Sequence, residues 1–364
     1  MIALAGCLLL PFVEFAPNRI ANGTSLSVWS SAGPWASVLV AACALCAAAA
    51  FTPRSWRGRA LLACAIVALG ALLFGVGHAA ENLTHPPARV SVGAGAWLVL
   101  VGVAIVWFQG SRLARSRLAS TVAWVSAAVL TLSAVVWGGL GTTGIALEYG
   151  QQDVFWILTV NHILLTLAGT AIAAVIGVPL GIWAARSRIV RGTAIPFAGL
   201  VQTIPSLALF GLLIVPLTLL GLPTIGTVPA LIALTLYALL PIVRNTYLGV
   251  AGVDEAVVDA GRGMGMSGSE LLLRVELPLA LPLILEGLRA ALVLTVGIAA
   301  VMAIAGAQDL GTLVFLGFGV QANDLVLLGA LPMVVLAIIA DQGMRALERE
   351  FVSPGIRPGR EEPA

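Results

Sequence analysis

The chain has 364 residues, of which 60% are hydrophobic and 10% charged, with a mean hydropathy of +1.04 and a formal net charge of +2. That composition excludes an ordinary soluble core in favour of a polytopic membrane protein, and so small a net charge indicates no nucleic-acid partner. All 19 basic residues are arginine. The lysine of a phosphate-binding P-loop is therefore missing, and any ATP used must be bound by a partner.

Apolar runs of spanning or near-spanning length fall at about 1–13, 35–51, 60–79, 93–109, 119–140, 157–185, 194–220, 227–248, 283–306 and 325–346, giving ten candidate spans. The first is short for a span, which leaves the start of the chain open. Leu4-Ala5-Gly6-Cys7 looks like a lipoprotein cleavage box, but no basic segment precedes it, so it reads as chance. Cys43 and Cys46 form a C-x-x-C inside an alanine-rich apolar run. There is no second pair beside Cys7 and Cys64, and His78, His85 and His162 are scattered. Membrane-buried thiols are expected, and no metal site.

Arginines mark alternate loops: Arg54, Arg57 and Arg59; Arg112, Arg115 and Arg117; Arg186, Arg188 and Arg191; Arg262 and Arg274; then Arg349, Arg357 and Arg360. The opposite loops carry only Arg19 and Arg89. The positive-inside rule then makes both termini cytoplasmic, together with the loop at 253–282. Trp29, Trp35, Trp97, Trp107 and Trp137 fall where indole rings anchor at membrane interfaces. The chain divides into an accessory region of five spans (1–140), an outer linker (141–156, with Glu148 and Asp153), a core of five spans (157–350) and a tail (351–364). The accessory region shows no chemistry and reads as a packing or assembly domain.

In the core, His162, Thr166 and Thr170 are four apart and share a helix face, with Gly169, Ala173 and Gly177 allowing close contact beside them. That face lines a pathway or bonds a neighbouring helix, and for Thr170 the bonding is expected. Gln202, Thr203, Pro205 and Ser206 lie in the next run, where Pro205 frees the Val201 carbonyl and should kink the helix. Pathway or gate is the reading for this cluster, with kink repair the alternative. Arg244, Glu286 and Arg289 lie at cytoplasmic ends of spans; Glu286 and Arg289 can pair at i, i+3, and the three read as snorkelling charges. Gln308, Asp309 and Asp324 read as exposed outer-loop residues. No span holds a mid-membrane carboxylate or arginine, which argues against an ion-coupled carrier.

The longest polar interruption of this half is the loop at 253–282. Val253, Ala256, Val257, Ala260 and Met264 recur at helical spacing. Asp254 and Glu255 suit a helix start, and Gly263 and Gly265 a left-handed stop. Ser267-Gly268-Ser269-Glu270 reads as a capping box, with Met266 and Leu271 as its hydrophobic staple. Pro278 and Pro282 are expected to end this second helix. The whole is a capped helix–turn–helix between spans.

Asp259-Ala260-Gly261, then Gly265 three residues on, then Val275-Glu276-Leu277-Pro278 after nine more, resemble the coupling loop of ABC importer permeases. Asp259, Gly261 and Val275 stand where that motif has Glu, Ala and Ile. Gly261 should weaken its helix by about 1 kcal/mol. The runs around 162–187, 201–211 and 230–246 are similar to the osmoprotectant branch of that family, in its long-permease form with extra N-terminal spans. The resemblance implies an all-α polytopic membrane protein of about ten helices, with a type I ABC importer permease core preceded by five accessory spans. It implies import of glycine betaine, choline, carnitine or a related solute, in a bacterial inner membrane. Asp259, Ala260, Gly261, Gly265, Met266, Ser267, Glu270, Leu277 and Pro278 would form the ATPase-coupling loop. His162, Thr166, Gln202, Thr203, Pro205 and Ser206 are the candidate pathway residues. The implied partners are two cytoplasmic ATPases holding the ATP, a second permease copy or paralogue, and an external solute-binding protein. The chain itself would be no enzyme and bind no cofactor. Import of another small solute such as an amino acid, an ion-coupled carrier or channel, and a membrane scaffold stay open as alternatives.

Overall fold

A computed structural model describes residues 2–18, 23–49, 51–83, 88–114, 117–151, 154–320 and 322–351. Arg19, His85, Arg115, Asp153, Arg357, Arg360 and the tail from 352 lie outside the described residues. The chain folds as two units, one made of 1–152 with 317–325 and the other of 153–316 with 326–364.

The first unit contains α1 (Ile2–Leu9), β1 (Val13–Ala16), β2 (Thr24–Leu26), α2 (Val28–Ser31), α3 (Trp35–Ala49), α4 (Arg54–Leu83), β3 (Arg89–Val92), α5 (Ala94–Ala114), α6 (Arg117–Trp137) and α7 (Gly144–Gln151). The described helix of the first apolar run is too short by itself to cross a membrane. It is 8 residues long, about 12 Å at 1.5 Å per residue. The chain then turns into an antiparallel sheet of order β2-β1-β3, with Val13 opposite both Leu26 and Val92. This sheet is not among the sequence expectations, although Arg-Val-Ser-Val alternates at the period of a strand. α4 supplies the core with small residues: Ala65, Ala68, Ala71, Ala79 and Ala80 are all buried against neighbouring helices. Approach is closest at Gly77, where a Cβ would overlap the Gly138 carbonyl. Trp35 stacks on Phe74 at 5.0 Å. Trp107 is only 9% exposed.

This unit is not devoid of polar chemistry. Arg89 on β3 pairs with the fully buried Glu148, and Ser91 donates to Asp324 at 2.5 Å. Asp324, expected in an exposed position, is thus buried.

The second unit contains α8 (Phe155–Arg186), α9 (Arg188–Thr203), α10 (Ser206–Leu219), α11 (Thr227–Ala251), α12 (Glu255–Gly263), α13 (Gly268–Leu271), α14 (Leu277–Met302), most of α15 (Leu310–Gly319) and, from Val326, α16 (Asn323–Phe351). α11 is the central helix, burying Ala233, Leu234, Ile242 and Val243 between α8 and α14. The stripe Gly169, Ala173, Gly177 and Gly181 on α8 faces it. A Cβ on Gly169 would come within 2.9 Å of the Leu234 Cβ, and one on Gly181 within 2.6 Å of the Thr246 Cβ. Small residues therefore set the interhelical distance, as membrane packing favours.

Among the described residues, six helices are long and apolar enough to cross a membrane, or seven if the bent pair α9–α10 is one span. α3, part of α6 and α15 are shorter apolar helices. Nine of the ten expected runs coincide with helices, but a count of ten spans is not established.

Candidate functional site

The loop at 253–282 folds by its own capping chemistry. Asp254 is the N-cap of α12, its side chain accepting from the Ala256 amide at 2.9 Å. At the far end, the Gly265 amide bonds the Arg262 carbonyl and the Met266 amide bonds the Gly261 carbonyl. These paired bonds form a Schellman motif, and they require Gly265 in the left-handed region at φ +82°. Gly263 stays helical as the last residue of α12. Ser267 then opens α13 with the full capping box. The Ser267 amide donates to Glu270 at 2.9 Å, and the Glu270 amide donates back to the Ser267 hydroxyl.

Gly261, read from sequence as a weak point, has a packing reason. It is buried, and a Cβ there would lie 2.6 Å from Leu271 Cδ1. Leu271 is itself only 4% exposed. The glycine lowers intrinsic helix propensity but lets α12 and α13 close on each other. Val257 of α12 and its C-cap Met264 are exposed, at 42% and 72%. Asp259 pairs with Arg262 at 3.1 Å, but both are exposed, so the pair contributes little.

Pro278 and Pro282 do not end the second helix. The chain passes through a π turn at Leu272–Glu276 directly into α14, with Pro278 in its first turn and Pro282 inside it. A π turn widens the helix, which relieves the clash of Pro278 with the preceding turn and accommodates its missing amide. The π turn also aims Glu276 inward. Its side chain accepts from Arg186, the last residue of α8, at 2.5 Å, and Glu276 is 8% exposed. Sequence reasoning singled out neither residue. Glu276 fills the variable position of the Val-x-Leu-Pro segment, and Arg186 reads simply as one of the loop arginines.

Two of the six candidate pathway positions, His162 and Gln202, bond to other segments, and two, Thr166 and Thr203, bond within their own helices. His162 is fully buried on α8, with Nδ1 3.3 Å from an Asp309 oxygen and Nε2 3.2 Å from the Val296 carbonyl. Both ring nitrogens thus face a partner oxygen on another part of the unit. Asp309 is also fully buried and accepts from the Gly311 amide at 2.8 Å. The expectation that it is an exposed loop charge is corrected: the turn after α14 folds it back onto α8. Thr166 bonds within its own helix, while Thr170 meets Thr295 of α14 at 3.0 Å. The Gln202 amide donates to the Tyr237 carbonyl at 2.8 Å, and the Tyr237 hydroxyl donates to the Ile204 carbonyl.

Pro205 does more than kink. α9 and α10 meet at 113°. The freed Val201 carbonyl is taken by the Ile204 amide at 3.1 Å. Thr203 caps its own turn through the Leu200 carbonyl, and Ser206 begins α10. Beside His162, a cavity of about 260 Å³ opens between α8, α11 and the turn after α14. It is lined mainly by apolar atoms, with Asn161, Thr227 and Gln308 as its polar groups.

Arg289 is not a snorkelling surface charge. It sits within α14 and reaches Glu286 at 2.5 Å and Asp341 of α16 at 3.0 Å. His162–Asp309 is a fully buried pair, whereas the partners of Arg289 are partly exposed, Glu286 at 42% and Asp341 at 28%. Among the described residues, no cluster of His, Cys, Asp and Glu is arranged to hold a metal ion.

The family described as a binding-protein-dependent transport system inner membrane component matches residues 177–353. The N-terminal domain of the ABC transporter permease YehY matches residues 1–143. The glycine betaine/carnitine/choline transport system permease protein OpuCB of Bacillus subtilis is 36% identical over 203 residues, covering 56% of this chain and 91% of the relative. The osmoprotectant import permease protein OsmW of Salmonella typhimurium is 40% identical over 200 residues, covering 55% and 93%. Among solved structures, an inward-facing form of the MetNI methionine ABC transporter aligns with a TM-score of 0.51 at 20% identity, covering 56% of this chain and 99% of that one. A likeness at that identity carries the fold alone.

Proposed function

The chain belongs to the binding-protein-dependent transport system inner membrane components, as a multi-pass permease subunit of an ABC importer and not its ATPase, and on that premise we propose that it imports glycine betaine or a related quaternary-ammonium osmoprotectant. The names of the relatives, which include choline and carnitine permeases, support this solute class.

The observation that carries the mechanism is the exposed apolar face of α12. Val257 and Met264 project from a loop whose ends are capped on every side and whose interior is already filled by Leu271. A rigid, capped element with an unfilled apolar face is suited to dock in a cleft of a partner. We assign that partner as a cytoplasmic ATPase pair, which holds the ATP. Closure of the ATPases moves α12 and α13 as one body, because the caps prevent fraying. Glu276 and Arg186 pass the displacement to α8, whose other end carries His162 beside the 260 Å³ cavity. A second copy or paralogue of the permease completes the passage, and an external binding protein delivers the solute. Recognition of the quaternary ammonium by aromatic rings belongs mainly to that binding protein. The membrane is the bacterial inner membrane, with both termini cytoplasmic.

Copurification from native membranes tests the assembly. A P-loop ATPase should accompany the chain, with hydrolysis stimulated by a betaine-loaded binding protein. Recovery of the chain without any ATPase after crosslinking would sink the assignment.

Two loop variants bear on the docking surface. Gly265→Val forces a β-branched residue into the left-handed region, and Asp259→Lys reverses an exposed charge of the same loop. Each is expected to lower solute-stimulated ATPase activity at least about ten-fold, equivalent to 1.4 kcal/mol of lost coupling or docking. Wild-type uptake in both would remove the loop from the mechanism.

A further inference from the structure

On the reading of the chain as the permease of an ATP-driven importer, we propose that Tyr237 of α11 is the positioning residue of its gate, and that the gate is the elbow between α9 and α10. Two prolines create the arrangement. Pro205 breaks the span, which leaves the carbonyl of Ile204, the C-cap of α9, outside any helix ladder. Pro241 lies inside α11 and lacks the amide that would take the carbonyl of Tyr237, four residues before it. The two freed carbonyls are met across the helices. The Tyr237 hydroxyl donates to the Ile204 carbonyl, and the Gln202 side-chain amide donates to the Tyr237 carbonyl at 2.8 Å. Both bonds of this clasp converge on one residue.

The post of the clasp is well packed and the limb it holds is lightly packed. Tyr237 is 5% exposed and shares one apolar cluster with Leu165 of α8, Leu234 of its own helix and Met302 of α14. By contrast, α9 buries only Ala198 and Val201, and α10 only Leu209 and Leu217. Thr203, Pro205, Leu207 and Ala208 are exposed around the break. Within this chain the position of the elbow therefore depends on the clasp more than on packing.

The depth suits a gate. Tyr237 lies ten residues into α11, about 15 Å along its axis, or half of an apolar layer of about 30 Å. Pro205 offers no side-chain acceptor to the first amides of α10. Lipid cannot satisfy broken backbone at that depth, so the break borders water. Clasped, the elbow closes the passage on one side; released, it swings and opens that side.

The test uses proteoliposomes of the permease with its ATPase and a water-soluble maleimide applied from either side. Ser206→Cys, in a chain with Cys7, Cys43, Cys46 and Cys64 changed to alanine, places a thiol at the elbow. With Tyr237 present it should react from one side only. Tyr237→Phe keeps the ring and removes the hydroxyl, and it should make the thiol reactive from both sides. Passive leak of glycine betaine without ATP should rise at least about five-fold, the population shift of one hydrogen bond of about average strength. Pro241→Ala supplies the Tyr237 carbonyl with a donor from its own helix, releases Gln202, and should also give two-sided labelling. A merely structural role predicts a higher melting temperature for Pro241→Ala, from the restored helix bond, and no change in labelling. Labelling needs no solute. Two-sided labelling of Tyr237→Phe without any betaine leak would thus support the gate and overturn the solute assignment instead. A thiol at 206 that stays unreactive or one-sided in both variants would overturn the gate.

Discussion

Glu276→Arg is expected to leave the ATPase bound but disconnect it, so that hydrolysis continues while uptake per ATP falls at least about ten-fold. The bond it breaks joins the π turn of the loop to the end of α8 at 2.5 Å. It is charge-assisted, which places such a bond at about 1.5–3 kcal/mol when well shielded. Arg186 is 43% exposed, so the lower end applies. Reversal adds repulsion between two arginines at the same place. Ile182 and Ala185 of α8 still pack in one apolar cluster with Leu277 and Ala280 of α14, so the variant keeps the contact but loses its directional, charge-assisted link. The exchange Glu276→Arg with Arg186→Glu restores the pair in reverse and should recover most of the uptake. A merely structural role for Glu276 would lower protein yield and leave uptake per ATP unchanged, and the double exchange separates these outcomes.

Asp309→Ala is expected to cost about 1–3 kcal/mol of stability, because buried polar groups lose a partner. His162 and Asp309 are both fully buried. The Gly311 amide loses its acceptor at the same time. Asp309→Asn keeps one acceptor oxygen, for either His162 or the Gly311 amide, and should cost less. Replacing both partners by leucine should be milder than Asp309→Ala alone, since the imidazole is then not left unpaired. Thermal unfolding in detergent ranks the three variants. A loss in Asp309→Ala no larger than in the double leucine variant would show that the pair contributes nothing to stability.

What the sequence discloses is local. The caps of Asp254 and Ser267, the stop at Gly265 and the small-residue stripe of α8 follow from neighbours within four residues, and each forms in the structure. What it conceals depends on distance along the chain. Glu276 lies 90 residues from Arg186 and Asp309 lies 147 from His162. No periodicity joins either pair. The π turn is hidden because proline ordinarily stops a helix, and only a widened turn lets α14 begin at once. The sheet was hidden by brevity, since strands of three or four residues barely show an alternation. Gly261 was legible as a departure from the resembled motif, while its reason lay ten residues on, in Leu271.

The buried His162–Asp309 pair and the Arg289 pairs make the energy source the most direct point of attack. Proteoliposomes containing the permease, its ATPase partner and the binding protein should be loaded with labelled glycine betaine on the binding-protein side. The proposed mechanism predicts uptake only with ATP on the side of the 253–282 loop, unaffected when sodium and proton gradients are collapsed. Uptake by the permease alone, driven by an ion gradient and indifferent to ATP, would contradict it and turn His162, Asp309 and Arg289 from structural pairs into candidate relay groups.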